Sequence, residues 1–204
     1  GLRSGGKVSF EEGVNSGIMC NGHTLARNCL MRREYLEKYP ELAYPDRARF
    51  TGSYSIEDLP AGLGVTVGEA LTSPTRIFSP IAAKVLEGLG NSVHGMVHNT
   101  GGGQTKILNL GKGVCYVKDA LPEPDPIFHL IQEEGRVEWR EMYEDFNMGV
   151  GFEFIVEPDA AEDVIRIAES FGIGVQIIGR CDKSENGNTV KITSNLGEFR
   201  YASG

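Results

Sequence analysis

Residues 151–179 have the sequence GFEFIVEPDAAEDVIRIAESFGIGVQIIG, in which the hydrophobic period changes twice. Alternating apolar residues predict a strand over Gly151–Val156. Apolar positions then recur at helical spacing and predict a helix over Ala160–Phe171, which the following glycine ends. A second apolar run predicts a strand over Gly174–Gly179. A strand, a helix and a strand in this order indicate a βαβ unit.

The segments on either side add further strands and helices. Downstream, Asn186-Gly187 predicts a hairpin that leads into a strand over Val190–Thr193. A βαβ unit joined to a hairpin implies a mixed sheet. The predicted fold class is therefore α+β, a mixed sheet layered with helices, with a ferredoxin-like βαβ portion near the carboxyl terminus. Upstream, the same periodicities predict helices over Gly22–Lys38, Val67–Leu71, Ser79–Gly90, Ile127–Glu134 and Glu138–Asp145, and strands over Lys7–Glu11, Val93–Val97 and Val114–Val117.

Length, charge and cysteine spacing limit the class of protein. The 204 residues suffice for one domain with a sizeable core, so residues 1–204 are predicted to form a single domain. The formal net charge of −8 argues against a nucleic-acid partner, which a basic surface would favour. No run approaches the ~18 apolar residues of a membrane span. The four cysteines are too widely spaced for a metal knuckle or a disulfide framework. We therefore expect a soluble, cytoplasmic protein with no membrane or nucleic-acid partner.

One long segment lacks a clear periodicity. Residues 41–63 follow Pro40, contain Pro45 and Pro60, and have glycine and serine scattered between the prolines. A connection of this length is unusual inside a compact domain. We predict an irregular insertion or a lid over this segment.

The most distinctive local motif is His98-Asn99-Thr100-Gly101-Gly102-Gly103, directly after the predicted strand Val93–Val97. Glycines adopt positive φ and lack a Cβ, so their amide N–H groups can form a concave nest for a phosphate. Thr100 adds a hydroxyl, and His98 can donate to a phosphate or transfer a proton, which makes it the candidate catalytic residue. A flexible surface turn is the alternative for the glycines. His94 and His98 share one face of the strand, but no further ligand completes a zinc site, so no metal is predicted.

Two residue pairs are further candidate phosphate ligands. Asn21-Gly22 precedes a predicted helix, where Asn is a common cap and the first free N–H groups attract an anion. Thr75-Arg76 places a hydroxyl beside a guanidinium, which binds phosphate in a bidentate manner. Capping alone is the alternative explanation of Asn21, and a surface arginine paired with a carboxylate is the alternative for Arg76.

Four motifs together carry a family resemblance: Met19–Arg27, Ser73–Phe78, His98–Gly103 and Glu141–Gly151. In this order they resemble the C-terminal domain of aminoimidazole ribonucleotide (AIR) synthetase, also called phosphoribosylformylglycinamidine cyclo-ligase, in the PurM-like superfamily. The resemblance covers nearly the whole chain. One departure is Met19-Cys20, where the family usually has His-Ser before Asn-Gly.

The resemblance implies a PurM C-terminal-like domain and a set of partners. The family's reaction is the ATP-dependent conversion of formylglycinamidine ribonucleotide to aminoimidazole ribonucleotide in purine biosynthesis. This domain is expected to hold the phosphate of the ribonucleotide monophosphate substrate, with Asn21, Asn147 and Gly149 along the substrate groove. ATP and Mg²⁺ are expected to be held mainly by an N-terminal ATP-binding domain, supplied in cis or in trans. The complete enzyme is expected to be a homodimer.

The N-terminal part of that family has no counterpart in this sequence. Nothing matches its Asp-rich segment or its Lys-bearing loop, and the chain begins Gly1-Leu2-Arg3. We therefore expect a fragment, a cleaved product or one half of a split enzyme, with no cyclo-ligase activity as an isolated chain. One alternative is another PurM-like enzyme, such as formylglycinamidine synthetase, selenophosphate synthetase or thiamine-monophosphate kinase. The other is a noncatalytic binding module that retains the fold.

Overall fold

The computed structural model describes residues 1–8, 11–42 and 49–203. Within these ranges the chain forms seven strands and seven α-helices. The strands are β1 (Leu2–Arg3), β2 (Val93–His98), β3 (Val114–Lys118), β4 (Val150–Val156), β5 (Arg180–Lys183), β6 (Thr189–Ser194) and β7 (Gly197–Ala202). The helices are α1 (His23–Leu30), α2 (Glu34–Lys38), α3 (Val67–Leu71), α4 (Ser79–Leu89), α5 (Pro126–Gly135), α6 (Trp139–Asp145) and α7 (Ala161–Ser170).

The strands form two sheets. An antiparallel sheet has the strand order β1-β4-β2, and a larger sheet has the order β5-β3-β6-β7. The larger sheet is mixed, because β3 and β6 are parallel while its other pairs are antiparallel. The prediction of helices combined with a mixed sheet is confirmed, and the single sheet is corrected to two.

The strand and helix that open residues 151–179 form as predicted, but the βαβ unit does not. Residues 174–179 do not form a strand, and Val175 makes one isolated bridge to Leu2. The short strand β1 lies between β4 and this segment and uses the hydrogen bonds that a parallel neighbour of β4 would need. Local periodicity cannot reveal a partner from the other end of the chain. The ferredoxin-like portion is not confirmed.

The hairpin predicted around Asn186-Gly187 is wrong. The strands that flank this turn, β5 and β6, are separated in the sheet by β3. The hairpin that does form joins β6 to β7, where Ser194 pairs with Gly197. The Asn-Gly pair favours a turn, but it cannot show that an earlier strand lies between the two arms.

The helix predicted over Gly22–Lys38 is divided into α1 and α2. Met31 interrupts the run with an extended backbone and forms a parallel bridge to Tyr54. The start of α1 also differs from the prediction. Gly22 precedes the helix with φ 69°, and no side chain caps it, so Asn21 is not the cap.

The other predicted helices, and the strands β2, β3, β4 and β6, agree with the structure to within one residue at each end. Residues 9 and 10, in the strand predicted over Lys7–Glu11, lie outside the described ranges, and the other three residues of that segment are not in a strand. Residues 43–48 of the segment 41–63 also lie outside them. The rest of that segment holds the end of a 3₁₀ turn and the bridge at Tyr54. A lid remains a prediction.

Two groups of buried apolar side chains hold these elements together. One packs α1, α5 and α6 against the mixed sheet and includes Leu30 and Phe128. The other packs α4 and α7 against the antiparallel sheet and includes Leu2 and Ile81. Each such side chain contributes roughly 1.5–3 kcal/mol when it is fully buried. Within the described residues, no helix has the length and apolar character needed to cross a membrane.

Candidate functional site

The glycine turn, defined as residues 100–103, begins just beyond the end of β2 and leads into a 3₁₀ helix, Gly103–Asn109. Asn99, the residue before the turn, is fully buried. Its Nδ2 donates to the carbonyl of Val150 at 2.9 Å and to Oε1 of Glu153 at 2.6 Å. The turn therefore starts from a point that is fixed to β4.

The first two glycines leave the backbone of the turn open. Gly101 and Gly102 are exposed, and a Cβ on Gly101 would have no neighbour within 4 Å. Gly102 has φ 94°, a conformation that favours glycine. In the part of the chain that the structure describes, neither amide N–H donates to another group. Two amide donors at the tip of the turn are therefore free for a ligand, as a phosphate-binding nest requires.

Gly103 allows close packing at the end of the turn. It is buried with φ 46°, and a Cβ there would collide with the carbonyl of Phe146. A Cβ on Gly22 would collide with the ring of the same Phe146. Asn21 is 2% exposed and donates from Nδ2 to the carbonyl of Asp145 at 2.8 Å, while its Oδ1 has no partner among the described residues. Three separate sequence motifs therefore meet around Phe146.

Asn147 and Gly149 lie behind the turn and are buried. The Oδ1 of Asn147 accepts hydrogen bonds from the hydroxyl of Ser4 at 2.6 Å and from the N–H of Gly149 at 2.9 Å. Its Nδ2 donates to the carbonyl of Gly17 at 2.8 Å, and its own carbonyl accepts from Nε2 of Gln104. These bonds join the amino-terminal loops to the glycine turn. The position of both residues along a substrate groove stays a prediction.

Arg76 does not join the glycine turn. Its side chain is 0% exposed, and its Nε and Nη2 donate to the carboxylate of Glu11 at 3.1 and 3.0 Å. The other N–H groups of the guanidinium donate to three carbonyl oxygens in residues 3–6, at 2.8–3.0 Å. All five donors are occupied, so none is free for phosphate. The structure shows a buried support for the amino-terminal loops where a phosphate ligand was predicted. Thr75, beside it, is half-buried.

Lys106 lies at the turn, although no motif indicated it. Its Nζ donates to Oγ1 of Thr100 at 3.1 Å, and its Cα lies 3.7 Å from the position that a Cβ on Gly102 would take. No carboxylate lies within 4.0 Å of this ammonium in the described residues. A 3₁₀ helix has three residues per turn, so a side chain three positions after Gly103 returns to the same side. The three-residue spacing between Gly103 and Lys106 is therefore the sequence signal that could have placed Lys106 at the turn.

His98 is half-buried between two aromatic rings. The ring centroids of Phe78 and Phe152 lie 5.6 and 5.9 Å from that of the imidazole. Burial lowers the pKa of His98 below its ordinary value of 6.5, and the charge of Lys106 lowers it further. Its Nε2 is buried without a hydrogen-bond partner among the described residues. The imidazole is therefore neutral at pH 7, and its catalytic role stays a prediction.

A family model described as AIR synthase related protein, C-terminal domain, matches residues 12–191. The chain belongs to this family. The matched range includes the glycine turn, Asn21, Asn147 and Lys106.

Curated proteins named phosphoribosylformylglycinamidine cyclo-ligase are similar to this chain. The protein from Methanocaldococcus jannaschii is 38% identical over 178 residues, which are 86% of this chain and 45% of that protein. The protein from Methanococcus maripaludis strain C7 is 36% identical over 88% of this chain and 46% of its own length. The protein from Desulfotalea psychrophila is 35% identical over 94% of this chain and 49% of its own length. The chain therefore spans about half the length of the curated relatives it matches.

A buried ion pair supports the glycine turn from beneath. Lys118 Nζ lies 2.6 Å from Oε1 of Glu153, and both side chains are 3% exposed. Lys118 also donates to the carbonyl of Gln104 at 2.9 Å and to its Oε1 at 2.7 Å, while Glu153 accepts from Asn99. Burial lowers the pKa of Lys118, and the carboxylate opposes this shift. The pair therefore fixes the residues directly before and after the turn.

The domain also has a cavity of about 450 Å³, which is lined by Lys118, Glu153 and apolar side chains such as Ile155 and Val164. None of the site residues predicted from the sequence lines it. We place the candidate site at the glycine turn, because the free donors are there. Among the described residues, no three His, Cys, Asp or Glu side chains come together in a way that could hold a metal ion.

Proposed function

We propose that this chain is the C-terminal, substrate-phosphate-binding part of an ATP-dependent cyclo-ligase of purine biosynthesis. The enzyme converts formylglycinamidine ribonucleotide to aminoimidazole ribonucleotide. Membership of the AIR synthase family and the names of the relatives support the enzyme class. The free amide donors of Gly101 and Gly102 carry the binding role, because the substrate is a phosphate monoester and bare backbone lets its oxygens approach.

In the proposed reaction, the formyl oxygen is phosphorylated, the neighbouring nitrogen attacks the activated carbon, and phosphate leaves as the ring closes. ATP supplies the phosphoryl group and, with Mg²⁺, is held mainly by an N-terminal domain, in cis or in trans. The complete enzyme is a homodimer in this proposal. The role of this chain in the reaction is to hold the phosphate that belongs to the substrate, which keeps the reacting atoms oriented. The attacking nitrogen loses a proton as the ring closes, and the neutral imidazole of His98 accepts it at Nε2, which has no other partner among the described residues.

The other predicted residues shape the site around the phosphate. The free Oδ1 of Asn21 is an unused acceptor next to the packing point at Phe146. Thr100 and Thr75 are hydroxyl donors, and Thr100 is part of the turn itself. The buried hydrogen bonds of Asn147 hold the amino-terminal loops against the turn. These residues orient the backbone donors more than they add charge to the site.

Isothermal titration calorimetry of the 204-residue chain with ribose 5-phosphate tests the binding role. We expect a Kd in the micromolar range for the phosphate ester and no heat with ribose. A Cβ at Gly101 meets nothing in the fold but hinders a ligand, so Gly101→Val should weaken binding at least about tenfold, or ~1.4 kcal/mol. Gly88→Val, at another exposed glycine with open space around it, is the matched control.

Two results would contradict the proposal. One is the absence of binding by the wild-type chain. The other is equal affinity in the Gly101 and Gly88 variants, which would place the phosphate elsewhere on the protein.

A further inference from the structure

Two buried cationic side chains, those of Arg76 and Lys118, use all of their donors within the protein. Arg76 uses its five N–H groups on Glu11 and on carbonyls of residues 3–6. Lys118 uses its three N–H groups on Gln104 and Glu153. Neither cation has a donor left for a ligand.

Lys106 differs from these two cations. Its ammonium makes one hydrogen bond, to the hydroxyl of Thr100, so two of its three N–H groups have no acceptor in the described part of the chain. It also has no carboxylate within ion-pair distance there. The residue is half-buried, and the hydrogen bond to Thr100 holds its ammonium at the turn. A cation held in one place without a counter-charge attracts an anion.

The position of Lys106 matches the free backbone donors. Its Cα lies beside Gly102, and its Nζ returns along the turn to Thr100. The ammonium therefore lies at the same four-residue turn as the Thr100 hydroxyl and the free amides of Gly101 and Gly102. The charge of Lys106 also acts on His98 at the end of β2.

We propose that Lys106 is the phosphate-binding cation of this site and that it contacts the phosphate monoester of the substrate directly. The proposal rests on the proposed function, in which the glycine turn holds that phosphate. It assigns to Lys106 the charge that the sequence motif had assigned to Arg76. The net charge of −8 favours such a local cation, because the field of the chain as a whole repels a dianion.

The test is calorimetry of the full 204-residue chain with inorganic phosphate and with ribose 5-phosphate, at low and at moderate salt. Lys106→Met removes the charge and keeps the length of the side chain. We expect the affinity for both probes to fall at least about tenfold, and the dependence of affinity on salt to become weaker. Lys106→Arg should retain most of the affinity. Lys112→Met is the control, since Lys112 is an exposed lysine near the end of the same connection and has no ion pair in the described chain.

The outcomes separate this inference from the proposed function. If the wild-type chain binds neither probe, the phosphate site and the role of Lys106 both fail. If Gly101→Val weakens binding while Lys106→Met binds like Lys112→Met, the turn holds the phosphate and the proposal for Lys106 is wrong. A circular dichroism spectrum and a urea transition like those of the wild type establish that each variant is folded.

Discussion

Lys118 Nζ lies 2.6 Å from Oε1 of Glu153, and each partner of this buried pair also holds one side of the glycine turn. Lys118 donates to Gln104, directly after the turn, and Glu153 accepts from Asn99, directly before it. A buried ion pair adds little net stability compared with apolar side chains of the same shape. Its value here is positional, because the two charges fix the ends of a turn whose middle must stay open.

Loss of one partner of this pair should therefore destabilise the chain strongly. Lys118→Met leaves the Glu153 carboxylate buried without its counter-charge, and we expect the free energy of unfolding to fall by about 3–5 kcal/mol. Urea denaturation followed by circular dichroism measures this loss. The double variant Lys118→Met with Glu153→Leu removes both charges and should recover much of it. A single variant as stable as the wild type would show that the pair is not buried in solution.

The third glycine of the turn should tolerate substitution far less well than the first. Gly103→Ala places a Cβ against the carbonyl of Phe146 at φ 46°, so we expect a loss of roughly 2 kcal/mol or more in the free energy of unfolding. Gly101→Ala is the matched control, because its Cβ has open space, and it should change stability by less than about 0.5 kcal/mol. Thermal unfolding of the two variants compares them directly. Similar melting temperatures would contradict the packing described for Gly103.

We expect Arg76 to contribute to the stability of the fold and not to the affinity for phosphate. Lysine has three donors where the buried guanidinium uses five, so Arg76→Lys leaves carbonyl oxygens of residues 3–6 without partners. We expect a loss of about 2–4 kcal/mol in urea denaturation. Below its unfolding transition, the variant should bind ribose 5-phosphate within about twofold of the wild type, which is a change of less than ~0.5 kcal/mol. A selective loss of affinity with normal stability would restore the predicted role of Arg76 as a ligand.

Much of the secondary structure could be predicted from local pattern. The helices α3 to α7 and the strands β2 and β3 each carry their own periodicity, and each forms within one residue of its predicted ends. The two errors in sheet topology involve partners that are distant in the chain. β1 separates residues 174–179 from β4, and β3 separates β5 from β6, so neither the βαβ unit nor the Asn186-Gly187 hairpin can form.

In the candidate site too, local sequence predicts some features, while others depend on distant segments of the chain. The exposed amides of Gly101 and Gly102 follow from composition, because consecutive glycines after a strand predict an open backbone. Whether a cationic side chain is free to bind a ligand does not follow from its residue type. Arg76 and Lys106 are both cations in or near motifs, yet the carboxylate and carbonyl groups around Arg76 belong to segments far away in sequence. Only the folded structure shows which of the two cations remains free.

The titration of His98 provides a test that does not depend on substrate. Burial is the larger cause of its lowered pKa and the charge of Lys106 is the smaller one. In a histidine-selective NMR titration, we therefore expect a pKa below 6.5 for His98 in the wild-type chain. Lys106→Met should raise this pKa, while burial keeps it below 6.5. Lys112→Met should leave it unchanged. A pKa that does not respond to loss of Lys106 would contradict the electrostatic contact between the two side chains.

The same shift fixes the direction of a pH effect on stability. Because the pKa of His98 is lower in the folded chain than in the unfolded chain, the unfolded state binds more protons in the interval between the two values. The contribution of His98 to the free energy of unfolding is therefore complete above pH 6.5 and decreases as the pH falls through that interval. His98→Gln should remove this contribution, so urea midpoints of the variant should decrease less than those of the wild type between pH 7 and pH 5. Equal slopes in the two proteins would mean that the imidazole is solvated in the folded state, and its proposed place as a neutral proton-transfer group would be wrong.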